Sequence, residues 1–271
     1  MTSPPATERI RFDGISMQYA TPTGPLEVVA DISLSIRQGE FVSLVGPSGC
    51  GKTTMMNMAA GFLRPTQGRV TLDGKMIDAP GPDRGVMFQD YGVFPWLSVE
   101  DNVAFGLKLA ANRKSPAERE AVVERYLRLM GLLDFRKAYP KTLSGGMRQR
   151  VALARAYAVN PEFLLMDEPF GALDAQTRSA MHDLLLDALH TEGKTVMLIT
   201  HSVEEAVYLS TKVAVISARP ARLRELIDIP FPYPRHHALQ ETSDFGALRA
   251  RIHGLVMAEY AVQEAQRKPA A

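Results

Sequence analysis

Gly46-Pro47-Ser48-Gly49-Cys50-Gly51-Lys52-Thr53 stands between an apolar run, Phe41-Val42-Ser43-Leu44-Val45, and a second run, Thr54-Met55-Met56-Asn57-Met58-Ala59-Ala60. The first run reads as a buried strand and the second as a helix, so the octet is a strand–loop–helix turn. Glycines at 46, 49 and 51 let the backbone curl until several N–H groups face inward, and the helix N-terminus adds its partial positive charge. Such a cradle suits a triphosphate. Lys52 is placed to reach the outer phosphates as a point charge, and the Thr53 hydroxyl to sit on a bridging magnesium ion. Pro47, Ser48, Cys50 and Thr54 complete the set expected to line the phosphates; Cys50 reads as a small packing residue rather than a redox group.

Further along, Leu143-Ser144-Gly145-Gly146-Met147-Arg148-Gln149-Arg150 opens an alanine-rich run, Val151 to Ala158, that stops at Asn160-Pro161. Ser144 has the chemistry of a helix N-cap. Each glycine behind it costs a helix about 1 kcal/mol relative to alanine, so the pair points to a ligand that approaches the backbone; an ordinary glycine-rich cap is the alternative. Arg148 and Arg150 read as helix faces. A serine hydroxyl and bare amides at a helix start form a second anion-binding device, in a chain with one phosphate loop to serve.

Phe163-Leu164-Leu165-Met166-Asp167-Glu168-Pro169 is an apolar strand run that ends in paired carboxylates and is stopped by proline. Asp167 is the expected magnesium ligand, through the ion's water shell, and Glu168 the expected general base for an attacking water. Solvated strand-end acids are the plainer alternative.

In this order the three elements resemble the phosphate loop, signature and acidic strand of ATP-binding cassette (ABC) ATPases. The resemblance implies ATP and Mg2+ as ligands and ATP hydrolysis as the reaction. It implies that Ser144, Gly145 and Gly146 contact the γ-phosphate of ATP held by the opposite subunit, so that two cassettes sandwich two nucleotides head to tail. Four single residues take roles the same way. Gln89, after Arg84-Gly85-Val86-Met87-Phe88, matches the glutamine that ligates magnesium and senses the γ-phosphate; His201, after Thr195 to Thr200, matches the switch histidine. Tyr19 matches the aromatic that stacks on adenine, and Asp174 the loop that crosses between subunits. Ser202 departs from the family, many of whose members have aspartate there.

Composition agrees. A chain of 271 residues can bury roughly 75% of its unfolded surface. Lys plus Arg number 31 against 30 Asp plus Glu, a net charge of +1, so no global basic field invites nucleic acid. One cysteine excludes an intrachain disulfide and suits a reducing compartment. The polar start, Met1 to Arg9, does not look like a targeting segment, and no stretch approaches the roughly 20 apolar residues that span a bilayer.

The fold expected is α/β: a P-loop ABC-type ATPase core with an antiparallel β subdomain and an inserted helical subdomain. Ile10 to Met17, Ile32 to Ile36 and Val70 to Leu72 read as the small antiparallel sheet, around turns at Gly24-Pro25 and Asp73-Gly74. Ser115-Pro116-Ala117-Glu118 is a capping box, followed by Val122, Val123, Tyr126, Leu127 and Met130 on one helix face and a stop at Gly131. Strands at 163–166, 195–199 and 212–217 alternate with helices starting near Asp174 and Ser202, a parallel α/β pattern. The cassette is expected over residues 8–235, with its helical subdomain at residues 90–160. Residues 236–271 are expected as a helical extension on the stripe Phe245, Leu248, Ile252, Leu255, Val256 and Tyr260, docked on its own domain or used as a regulatory or dimer contact. Gln263 to Ala271 are expected to fray.

No internal repeat is visible, so two complete sites require a homodimer or a paired ATPase subunit. Only about ninety residues separate Thr54 from Leu143, too few for the coiled-coil insert of chromosome-organising relatives. The stretch Asp90-Tyr91-Gly92-Val93-Phe94-Pro95-Trp96-Leu97-Ser98-Val99 offers apolar side chains for a partner's helix, with Trp96 and Phe94 as anchors; the same side chains would also pack the helical segment itself. With Gly81-Pro82-Asp83-Arg84-Gly85, Phe170-Gly171-Ala172-Leu173-Asp174, Arg219-Pro220 and Pro230-Phe231-Pro232-Tyr233-Pro234-Arg235, this stretch is similar to importer ATPases of the nitrate, sulfonate and taurine group. That resemblance implies a polytopic membrane permease docked near Gln89 to Val99, an external substrate-binding protein, and a peripheral position on the cytoplasmic face of the cell membrane. A soluble ATPase of a cofactor-assembly complex is the alternative.

Overall fold

Apolar residues alternate along Glu8–Thr21 and Gly24–Arg37, and alternation makes strands: these are β1 and β2, paired antiparallel. Along β1 the buried side changes phase, from Ile10 and Phe12 to Ile15 and Met17. The change falls at a register shift between Phe12 and Ile15, as an inserted residue in a ladder requires. Gly24 and Pro25, expected in a turn, instead open β2, with Thr21 opposite Gly24 and Ala20 opposite Pro25. β2 is an edge strand, where a residue without an N–H is tolerated.

The computed structural model describes residues 8–22, 24–90, 92–171 and 173–267. It divides into two compact units, one made of the residues up to Pro80 with those from Leu186 onward, the other Gly81–Leu185. Tyr91 and Ala172, within stretches quoted above, lie outside the described residues, as do Met1–Thr7 and the terminal Lys268–Ala271.

In the first unit, β3 (Phe41–Val45) is buried at all five positions and is followed by α1 (Lys52–Ala60). β4 (Gln67–Leu72) and β5 (Lys75–Met76) complete an antiparallel sheet of order β2-β1-β4-β5.

The second unit holds β6 (Arg84–Met87), α2 (Val99–Lys108), α3 (Pro116–Leu129), α4 (Gly145–Ala158) and β7 (Phe163–Asp167), followed by α5 (Ala175–Glu192). β6 and β7 are parallel, with Met87 opposite Met166. The expected capping box opens α3: Ser115 Oγ accepts from the Glu118 amide at 3.3 Å, and Glu118 Oε2 accepts from the Ser115 amide at 2.9 Å. Val123, Tyr126, Leu127 and Met130 are buried on its inner face, while Val122 is half-buried. The Tyr126 and Tyr157 rings pack α3 on α4 with centroids 6.2 Å apart, and Val103 and Leu107 of α2 are fully buried.

The chain returns to the first unit with β8 (Thr195–Ile199), α6 (Val203–Leu209) and β9 (Lys212–Ile216). β3 runs between β8 and β9, parallel to both. Beyond the strands expected, β10 (Leu223–Asp228) pairs antiparallel on β9. Of its side chains only Ile227 is buried, so its pattern reads as polar, as an edge strand's does. Arg235 of the proline-rich tail is buried and donates from Nη1 to Val207 O (3.1 Å) and Tyr208 O (2.7 Å). It thereby satisfies carbonyls at the C-terminal end of α6. α7 (Ser243–Arg267) docks on its own unit through Phe245, Ile252 and Val256, each worth about 1.5–3 kcal/mol when buried. Leu248, Leu255 and Tyr260 are half-buried. Gln263 to Arg267, expected to fray, are helical.

Candidate functional site

The phosphate loop, in the first unit, leaves β3 and enters α1 at Lys52. Gly46 has φ 157°, and a Cβ there would lie 2.4 Å from Ile216 O at the end of β9; Gly51 has φ 128°, and its Cβ would lie 2.9 Å from Val28 O. Only glycine fits where the loop runs this close to other backbone. Gly51 caps α1 with no side-chain bond to the first amides, which leaves them to an anion. Lys52 is 7% exposed, and its Nζ donates to Gly46 O and Pro47 O at 2.8 Å each. Thr53 is exposed and Thr54 half-buried in the first helical turn, while Ser48 and Gly49 are exposed in the loop. Cys50 is fully buried, 3.8 Å from Lys52 Nζ, and burial pushes its thiol pKa up against the pull of that ammonium. A buried, less ionised thiol is a packing group.

Elsewhere in the first unit, Tyr19 on β1 stands opposite Leu26 and is 36% exposed, an amphipathic ring with surface to stack on. His201 is exposed just beyond β8. Ser202 beside it caps α6, its Oγ accepting from the Glu205 amide at 3.2 Å. That is N-cap work an aspartate would also do.

In the second unit, Gln89 follows β6 and Glu168 follows β7. Because these strands are parallel neighbours, residues 79 apart in sequence meet: Gln89 Nε2 donates to Glu168 Oε2 at 3.0 Å. Glu168 has φ 46°, a conformation that costs a non-glycine residue of order 1–3 kcal/mol and tends to occur where function requires it. Asp167 is buried as the last residue of β7. Gln149 of α4, not singled out from the sequence, is fully buried, and its Nε2 donates to Pro169 O in the turn after Glu168. Its one sequence signal is an amide in a helix whose buried positions are otherwise apolar.

Ser144 is the N-cap of α4, its Oγ accepting from the Met147 amide at 3.2 Å. A Cβ on Gly145 would meet nothing within 4 Å, whereas one on Gly146 would lie 2.8 Å from Thr177 Cγ2. Gly146 thus also answers to the chain's own packing, whereas Gly145 borders open space. Arg148 and Arg150 lie on faces of α4, half-buried, and donate to Leu143 O (2.7 Å) and Met130 O (2.9 Å). Asp174 Oδ1 accepts from the Thr177 amide at 2.9 Å, and that bond holds its carboxyl below the usual aspartate range.

Between Gln89 and α2, Phe94 and Trp96 take different positions. Phe94 packs inward, its ring 4.6 Å from that of Phe105 and 4.9 Å from the Arg155 guanidinium. Trp96 is 71% exposed, 5.5 Å from Phe94. The fully buried Asn102 clamps the turn. Its Oδ1 accepts from the Phe94 amide at 2.9 Å, and its Nδ2 donates to Phe94 O, Leu97 O and Ser98 O at 3.0–3.1 Å. Of the two expected anchors, Phe94 is thus a support and Trp96 the exposed group.

Residues 29–171 match the family model described as ABC transporter. The chain is 45% identical over 251 residues to the taurine import ATP-binding protein TauB of Pseudomonas aeruginosa, covering 90% of this chain and 94% of that protein. It is 43% identical over 242 residues to the nitrate import ATP-binding protein NrtD of Synechococcus elongatus, covering 89% and 88%. Among solved structures, the dimeric post-hydrolysis state of the ATP-binding cassette MJ0796 with ADP and Pi superposes with a TM-score of 0.72 at 29% identity, over 82% of this chain and all of that one. No helix among the described residues is long and apolar enough to cross a membrane. The chain belongs to the ABC transporter family, as one of its ATP-binding and ATP-hydrolysing cassettes.

Proposed function

We propose that the chain energises a membrane importer for a small oxyanion or organosulfur compound such as nitrate, a sulfonate or taurine. It works as a homodimer or with a paired ATPase subunit, at the cytoplasmic face of the cell membrane. A polytopic permease docks on the loop from Gln89 to Val99, and an external binding protein delivers the cargo. The observation that carries this reading lies in the second unit: the glutamine bonded to Glu168 at 3.0 Å opens the same loop that presents Trp96 to solvent. A change at the acid is thereby one short segment from an apolar group of the kind that anchors partners. The near-full-length match to two import ATP-binding proteins supports the choice of partner and cargo class.

In this reading residues 46–54 hold the phosphates, through Lys52 and the backbone N–H groups that all of them but Pro47 carry, Tyr19 stacks on adenine, and His201 bonds the γ-phosphate. Glu168 takes the proton of the attacking water, its carboxylate oriented by the Gln89 amide. Ser144, Gly145 and Gly146, with the Asp174 loop, serve nucleotide on the second cassette. The oxygen donors of Thr53, Gln89 and Asp167 are the hard ligands that Mg2+ takes. The ion supplies charge neutralisation on the phosphates. Residues 8–235 form the cassette, with its helical subdomain near 90–160, and residues 236–271 the extension.

Purification of the tagged chain from its native membranes in mild detergent with ATP tests the assignment. Co-purification of a polytopic permease, lost in Trp96→Ala, is the expected result. Recovery of soluble partners alone, at good yield, would replace it with the assembly-ATPase reading.

A further inference from the structure

Two side chains to which the sequence assigned no role in the site fasten the phosphate loop from its outer side. Gln263 of α7 donates from Nε2 to Ser48 O at 2.9 Å, and Arg219, after β9, donates from Nη2 to Gly49 O at 2.8 Å. α7 also places Arg219. One helical turn before Gln263, the buried Glu259 accepts the Ala218 amide at Oε2 (3.0 Å), while its other oxygen lies 3.6 Å from Arg224 Nε. The same segment flanks the loop at both ends. Ile216 O closes the space beside Gly46, and Ala221 Cβ lies 3.1 Å from where a Gly51 Cβ would stand. Ala221 is itself held by backbone bonds to Val28 and Ala30 of β2. Residues 216–221 are thus a rail along the loop, and α7 grips rail and loop together.

The direction of these bonds gives them a consequence. The Ser48–Gly49 and Gly49–Cys50 peptides are trans, so each carbonyl points opposite to the N–H that follows it. Drawing Ser48 O towards Gln263 turns the Gly49 amide away from α7, and drawing Gly49 O towards Arg219 does the same for the Cys50 amide. The Cys50 N–H does face the loop interior, where it meets Pro47 O at a long 3.4 Å. A bond of that length leaves the amide ready for a better acceptor.

We propose that Gln263 and Arg219 are positioning residues for nucleotide binding. They hold the outer carbonyls so that the Gly49 and Cys50 amides face the phosphates before nucleotide arrives, and the docking of α7 thereby sets the cassette's nucleotide affinity. Donors fixed in advance need no reorganisation when the anion enters. The inference rests on the phosphate loop being the nucleotide site, which Lys52→Ala tests separately: a Lys52→Ala chain that binds normally would remove that premise, not the bracing alone.

The experiment titrates MgADP calorimetrically into the full chain and into Gln263→Ala, Arg219→Ala, Arg219→Lys and the double alanine variant. Each alanine variant should weaken MgADP by about 2- to 12-fold, the worth of one hydrogen bond, and the double variant by more than either alone, though not by the simple product, because the two bonds hold adjacent residues of one loop. KM for ATP should rise in parallel, with kcat at saturating ATP and the thermal midpoint held, and Arg219→Lys should restore binding because it keeps a donor. Wild-type affinity in the double variant would overturn the proposal. So would a fall in affinity that appears only together with a lowered thermal midpoint and is not restored by lysine, because that marks a strut of the fold rather than a setting of the loop.

Discussion

The phosphate loop and the signature turn are built alike, each a bend rich in glycine that runs into a helix N-terminus, but the chain treats them differently. Around the loop the protein fills its own space: backbone carbonyls stand where Gly46 and Gly51 would carry a Cβ, and Lys52 is buried against Gly46 O and Pro47 O. At the signature turn only Gly146 is needed internally, against Thr177, while Gly145 faces open space and Ser144 is exposed. The loop is braced by its own chain at Gly46, Gly51 and Lys52, whereas the signature turn keeps a bare edge, as the proposed use by a second copy requires.

Glu168→Gln should give the largest effect, lowering phosphate release by about 10²- to 10⁴-fold, the usual worth of a general base, while nucleotide still binds. Wild-type turnover would remove Glu168 from the chemistry. It also supplies a slow background in which the two glycine turns can be compared. On the loop side, Lys52→Ala should weaken ATP binding by about 10- to 150-fold, as expected for losing a charge-assisted contact; equilibrium binding of a fluorescent ATP analogue reads this directly, and unchanged affinity would break the comparison at its stronger end.

Smaller effects separate the two signature glycines. Gly146→Ala must push Thr177 aside and should lower the thermal midpoint through overpacking of about 1–3 kcal/mol, only partly offset by better helix propensity. Gly145→Ala meets nothing and should hold or raise the midpoint, by up to about 1 kcal/mol, yet impair ATP-dependent pairing of chains. Reversal of that order in a melting experiment would contradict the open edge. The smallest effect concerns Cys50. A buried thiol with a raised pKa should react with iodoacetamide at pH 7 far more slowly than a free thiol, and full modification should block ATP by bulk.

What was legible in the sequence was what is local. The octet from Gly46, the acids ending β7 and the capping box at Ser115 depend on neighbours within a few residues, and the α3 stripe on helical spacing alone. What was not legible depends on partners far along the chain. Gly146 owes its place to Thr177, Gln263 to Ser48 across 215 residues, and Gln149 to Pro169. β10 carries little apolar surface, as an edge strand can, and the end of α7 is held at Gln263 by a polar contact that no apolar stripe announces. Phe94 and Trp96 read alike as anchors or packing groups; what separates them is the turn that Asn102, eight residues on from Phe94, holds through the Phe94 backbone.

The proposal that two copies complete each other's nucleotide sites can be checked by light scattering of Glu168→Gln with MgATP, alone and combined with Ser144→Arg. The single variant should show a dimer mass, and the double variant, which still binds ATP, a monomer mass. A dimer of unchanged stability carrying Ser144→Arg would contradict it.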